Sequence, residues 1–228
     1  MTITTTTLTR AAGLSAVAGG LLFLGVQIGH PHLDAAFAGT TEFAVRQSLK
    51  IGFATLSLVG VTGMYLRQVK QTGVLGLLGY LLMGLAFLTL TCVEVMGVVA
   101  LPAIAGSAPA YVDDVLAVAN GGTALGEVGL FPILNTVAGL ALVTGGLLLG
   151  ITIFRAGILA RWASGLLAVA VVATLLIKVL PQVNERFFAV PIGVALIGLG
   201  VSLWREQRSL TAAPTEAGDP RLEHVTAP

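Results

Sequence analysis

Six long apolar stretches occupy most of this chain, at about Ala12 to Gly29, Ile51 to Leu66, Val74 to Val98, Val128 to Phe154, Leu159 to Leu180 and Phe188 to Trp204. A helix that crosses about 30 Å of hydrocarbon at about 1.5 Å per residue needs roughly 20 apolar residues, so runs of this length limit the fold more than any other feature. They predict an all-α, polytopic membrane helix bundle with six transmembrane helices. Composition agrees: 56% of the residues are hydrophobic and 10% charged, whereas a soluble surface is usually about a quarter charged. The mean hydropathy of +0.95 points the same way.

The bundle is expected to occupy residues 1–204. Residues 205–228 are polar, contain proline and lack apolar periodicity, and read as a disordered cytoplasmic tail. Arg10, the first apolar run and Ala36-Phe37-Ala38 also fit the parts of a cleavable signal peptide. That run exceeds the usual 7–15 residues of such a segment, so a retained span is expected. Arg46 and Lys50 precede the short second run at i, i+4, which extends it as a part-polar helix with snorkelling charges. The third run continues to Ala105 with an end expected near Pro102. The outer loop, 105–126, is a candidate lid, with a short helix over Tyr111 to Ala119 broken by Asn120-Gly121-Gly122.

Orientation follows from basic residues in short loops. Arg10, Arg67, Lys70, Arg155, Arg161, Arg205 and Arg208 fall on one side and Arg46, Lys50, Lys178 and Arg186 on the other, seven against four. Both termini are therefore expected in the cytoplasm, with localisation to the plasma membrane as a multi-pass protein. The acids Asp34, Glu42, Asp113, Asp114, Glu127 and Glu185 all fall on the outer side.

Several chemistries are excluded. A net charge of +1 offers no basic patch for nucleic acid. The single Cys92 rules out an internal disulfide, a CxxC pair and a thiolate metal cluster. No GxSxG, HExxH, P-loop or dinucleotide glycine pattern occurs. His30-Pro31-His32-Leu33-Asp34 holds possible zinc ligands, but Pro31 forces a turn and further ligands are lacking, so the expectation is a helix-ending turn and no metal. No cofactor is expected.

Polar residues that touch the spans gather in the outer third, and an ionisable group inside a membrane normally faces the bundle and has a partner. Glu94 is the sharpest case. It lies about 30 Å along a helix starting near Val74, or about 12 Å from an end near Pro102. Thr91 and Gly97, three residues to either side, make a small polar notch. Lys50, Arg46 and Lys178 are candidate partners. Glu127 is read as opening the fourth helix, where a carboxylate complements the helix N-terminus. Asn135 lies two turns deeper, and Pro132 between them frees a carbonyl. These residues, Glu94, Thr91, Asn135, Arg46, Lys50 and Lys178, are the expected ligand-binding set. The glycine pairs Gly25/Gly29 and Gly146/Gly150 read as close helix contacts, with dimerisation as the alternative.

Arg10-Ala11-Ala12-Gly13-Leu14 and the stretch GGLLLGITIFRAGILARWASGLLAVA from Gly145 to Ala170 resemble a family of six-helix actinobacterial-type membrane proteins classed as a domain of unknown function. The likeness follows the plan of the whole chain and is specific in the Gly145–Ala170 hairpin. It implies a polytopic inner-membrane protein and no activity.

The leading functional expectation is an integral membrane protein with a polar pocket open to the outer leaflet, binding a lipophilic small molecule, a membrane lipid or a membrane partner. An alternative is a membrane-embedded acid–base enzyme, an isomerase or terpene-type cyclase, with Glu94 as acid and Glu127 or Asp113 as base. The third is a transporter, although no internal repeat or midplane polar site is evident. The oligomeric state is left open.

Overall fold

The computed structural model describes residues 3–29, 31–175 and 190–212, the side chains of 208–212 excepted. Its elements are α1 (Thr5–Gln27), α2 (Ala35–Ala38), α3 (Thr41–Ile104), α4 (Pro109–Ala119), α5 (Phe131–Ala156), α6 (Arg161–Ala173) and α7 (Val190–Ala212), and no strand occurs among the described residues. Helices α1, α3 and α5 are long and apolar enough to cross a membrane. Their outward faces are apolar too: Leu88 is 55% and Leu140 60% exposed. Such surface is matched by lipid and would drive association in water.

Helix α3 is a hairpin. Its 64 residues leave helical geometry at Gln68 (φ −124°, ψ 15°) and Gly73 (φ 58°, ψ −155°), the latter a left-handed conformation that favours glycine. The arms then run antiparallel. Lys50 pairs with Glu94, Gly97 lies against Gln47 and Gly84 faces Leu58, and the midpoint of each pair falls at residue 71 or 72. Tyr65 and Tyr80 stack across the turn, 4.7 Å between centroids with planes 3° apart.

Small residues let the helices approach, as expected where lipid supplies no hydrophobic drive for association. Gly60 and Gly63 sit on Ala16 and Ala12 of α1; Gly13 and Gly200 join α1 to α7; Gly79 and Gly145 join the second arm of α3 to α5; Gly146 and Gly150 receive Val171 and Ala168 of α6; Gly198 receives Trp162. The contacts close a ring in the order α1, first arm, second arm, α5, α6, α7. The pair Gly146/Gly150 is thus spent inside the chain. Gly25 and Gly29 behave differently, since among the described residues an added Cβ at either meets nothing within 4 Å and Gly29 (φ +55°) lies past the end of α1.

Two apolar cores result. One is the bundle core, including Phe53, Met64, Phe87, Leu149, Leu167 and Leu199. The other lies at one end, where α2, α4 and the ends of α3 enclose Phe43, Leu101, Val112, Leu116, Val128 and Phe131. The expected helix in the 105–126 loop is therefore present, starting at Pro109, and it is packed down as a cap.

One boundary follows the sequence reading and two depart from it. Helix α3 starts at Thr41, capped by Thr40, which accepts from Phe43 N–H at 3.2 Å, so Arg46 and Lys50 are helical as anticipated. Helix α5 starts at Phe131 after Gly129 (φ 61°), not at Val128. Helix α7 continues through Ala212, so residues 205–212 are helical and not a disordered tail. The reason is tertiary: Glu206 pairs with Arg67 and Gln207 is buried, which holds the polar turns against the bundle. Residues 213–228 and the junction between the fifth and sixth apolar runs lie outside the described residues.

Candidate functional site

The antiparallel register of α3 brings Gln47, Lys50 and Glu94 into one polar layer between the two cores. Lys50 Nζ donates to Gln47 Oε1 at 2.9 Å and lies 3.4 Å from Glu94 Oε1. Gln47 and Glu94 are both 6% exposed, and Glu94 Oε2 has no hydrogen-bond partner among the described residues. Gly97 makes the layer possible, because a Cβ there would lie 2.5 Å from Gln47 Nε2. Burying a carboxylate beside an ammonium repays desolvation only with good geometry, so this layer holds the arms in register more than it stabilises them.

The other expected ligands go elsewhere. Arg46 pairs with Glu42 at 2.9 Å and donates to the carbonyls of Val26, Ile28 and Gly29 at 3.4, 3.3 and 2.9 Å, closing the end of α1 instead of reaching Glu94. Thr91 donates to Phe87 O of its own helix at 2.8 Å. Lys178 and His30 lie outside the described residues.

The three carboxyls of the acid–base reading do not converge. Asp113, on α4, accepts from Ala35 N–H at 2.7 Å and so anchors α2. Glu127 is exposed in the loop before α5 and does not open that helix. Pro132 is in the first turn of α5, where no intrahelical N–H is required, so it frees no carbonyl within the helix. Asp34 accepts from Phe37 N–H at 2.7 Å as the cap of α2, which commits the carboxylate of the His30–Asp34 string. Asp114 accepts from Leu125 and Gly126 N–H at 2.8 and 2.9 Å and pins the loop after α4.

One turn from Glu94 toward the bundle core, at Leu90, a cavity of about 410 Å³ opens. Phe23, Phe53, Phe87, Asn135, Gly139 and Ile192 contribute walls from α1, both arms of α3, α5 and α7, and the end of α4 and residues 174–175 complete it. Phe23 stacks on Phe53 at 4.5 Å, and Phe53 meets Phe87 edge-on at 5.7 Å. Asn135 is the one member of the expected set among the described residues of its walls, and Nδ2 donates to Val118 O of α4 at 2.9 Å. The site is therefore apolar with a polar corner, not the polar pocket anticipated. The aromatic walls escaped the sequence reading, which looked for polar groups. A signal existed: in the hairpin register Phe53 and Phe87 are centred on residue 70, opposite one another.

At the α3 turn, Arg67 pairs with Glu206 of α7, Nε lying 2.9 Å from both carboxylate oxygens with Nη2 closer still. This pair lies past the apolar segments. The guanidinium hydrogen bond holds the Glu206 carboxyl below the usual carboxylate range, against the opposing effect of its partial burial. Arg10 stands 6.0 Å from the centroid of the Trp204 ring at the same end.

In comparisons with known proteins, no family model, no curated protein and no solved structure matches this chain.

Proposed function

We propose that the chain is a six-span membrane protein, both termini cytoplasmic, that binds a lipophilic small molecule in the cavity beneath α4. The observation that carries this reading is the cavity itself, which at about 410 Å³ falls within the roughly 300–1,000 Å³ of small-molecule sites and has the apolar, aromatic lining with few polar groups that such sites share. The six segments that close the ring support the six-span reading, and the distribution of basic residues supports the orientation. The cavity lies in the part of the bundle near the cap, the part that this orientation assigns to the outer leaflet. The cap covers it from the aqueous side. Asn135 gives the ligand one polar contact.

Gly139 provides the test. It lines the cavity, and among the described residues a Cβ there meets nothing within 4 Å, so Gly139→Leu fills that space. Protein purified from its membrane should carry a lipophile detectable by mass spectrometry of the extract, and the variant should carry at least about tenfold less at an unchanged melting temperature. Equal loading would defeat the assignment. Orientation is checked by cysteine labelling of intact cells at Ser107 and Ser209 on a Cys92-free background. Labelling at Ser209 and not at Ser107 would reverse it.

A further inference from the structure

We infer that Asn135 makes the cavity selective for uncharged lipids whose polar end carries a hydrogen-bond donor, a hydroxyl or a primary amide; the inference rests on the cavity reading above. The argument concerns which lone pairs and protons remain for a ligand. Asn135 spends one N–H on Val118 O at 2.9 Å, which fixes the plane of its carboxamide and leaves Oδ1 and the second N–H. Two hydroxyls also line the cavity, and both have committed their protons to backbone: Thr136 to Pro132 O at 2.8 Å and Thr174 to Val171 O at 2.6 Å. Each offers a lone pair only. The polar corner at Asn135 and the adjacent Thr136 therefore presents two acceptors and one donor, Thr174 lies farther along the wall at the level of residues 143–144, and among the described residues that line the cavity none is charged.

That inventory discriminates between head groups. A carboxylate brings acceptors to a site rich in acceptors, and its charge would be desolvated without a counter-charge on the described walls. An ammonium group brings donors at the same desolvation cost. A bare hydrocarbon leaves Asn135 Oδ1 facing an apolar chain. An alcohol or primary amide supplies a donor to Oδ1 and an acceptor to the remaining N–H, while its chain lies against Phe23, Phe53 and Phe87. The bond to Val118 also places the reading group at the junction of α4 and α5, so head-group binding and seating of the cap share one side chain.

Five compounds with one 18-carbon chain test this by native mass spectrometry of the detergent-purified full chain: oleyl alcohol, oleamide, oleate, oleylamine and 9-octadecene. For the wild type, the alcohol and the amide should bind about tenfold tighter than the other three, in line with one well-made hydrogen bond and no buried charge. Asn135→Leu should bring the alcohol and amide to the level of 9-octadecene and leave 9-octadecene unchanged. A residue that merely tied α4 to α5 would lower all five together, and that result overturns the proposal. So does oleate binding as tightly as oleyl alcohol, or an alcohol affinity indifferent to Asn135→Leu. Binding of 9-octadecene without preference for the alcohol leaves the cavity reading standing and removes this one, whereas binding of none of the five removes both. Should Asn135→Leu not fold, Thr136→Val deletes the neighbouring acceptor and should narrow the preference about threefold; an unchanged preference overturns the proposal.

Discussion

The bundle and the cap are built by different means. In the bundle, helices touch through glycine and alanine, and Gly13 and Gly200 bring α1 and α7 so close that a Cβ at Gly200 would lie 2.5 Å from Gly13 O and 2.9 Å from Val17 N. Side-chain hydroxyls there mostly return to their own helix, as at Thr62, Thr91 and Thr152. In the cap, polar side chains cross between segments: Asp113 to Ala35, Asp114 to Leu125 and Gly126, and Asn135 to Val118. A long helix in lipid satisfies its own backbone and needs only close packing. Short elements such as α2 and α4 leave many orphan backbone groups, and acids satisfy them. The Gln47–Lys50–Glu94 layer lies between the two regimes, with Phe53 and Phe87 of the bundle core on one side and Phe43 and Leu101 of the cap core on the other.

The largest effect should come from breaking the bundle's mode of contact. Gly200→Leu places a side chain against backbone atoms that cannot yield, and should cost about 3 kcal/mol or more, seen as loss of folded protein in detergent. A variant of wild-type melting temperature would mean that α1 and α7 are not in this contact. Next comes the boundary layer. Glu94→Gln leaves the Lys50 ammonium without its counter-charge and should destabilise by about 3 kcal/mol, while the double variant Lys50→Met/Glu94→Leu, which removes both charges, should regain most of it. A melting temperature unmoved by Glu94→Gln would dissolve the pairing. The smallest effect belongs to the cap. Asp114→Ala removes two charge-assisted bonds from a partly exposed loop and should cost about 1–2 kcal/mol, with hydrogen exchange faster across residues 120–126 and unchanged in α1 and α7. Exchange that rises equally throughout would show that cap and bundle unfold as one unit, and the contrast drawn between them would fail.

The helical class and the membrane character were legible in the sequence, because a run of apolar residues long enough to span lipid has few other folds open to it. The part-polar entry into α3 was readable from Arg46 and Lys50, the short helix of the cap from the Asn120-Gly121-Gly122 break after it, and the pairing of Glu94 with a basic residue from the cost of a lone buried charge, with Lys50, Arg46 and Lys178 left as alternatives. What the acids do was not readable. Asp34, Asp113 and Asp114 look like chemistry in one dimension, and only the seating of α2 and the 120–126 loop shows that backbone N–H groups consume them. Glycine pairs were equally ambiguous: Gly146/Gly150 packs on α6 and Gly25/Gly29 packs on none of the described residues, although both read GxxxG, since spacing defines a helix face and only the neighbouring helix decides whether that face is used. The cavity belongs wholly to the tertiary structure. Its walls come from segments that the sequence keeps far apart, and an empty volume is a property of how helices meet, which no single run of residues encodes.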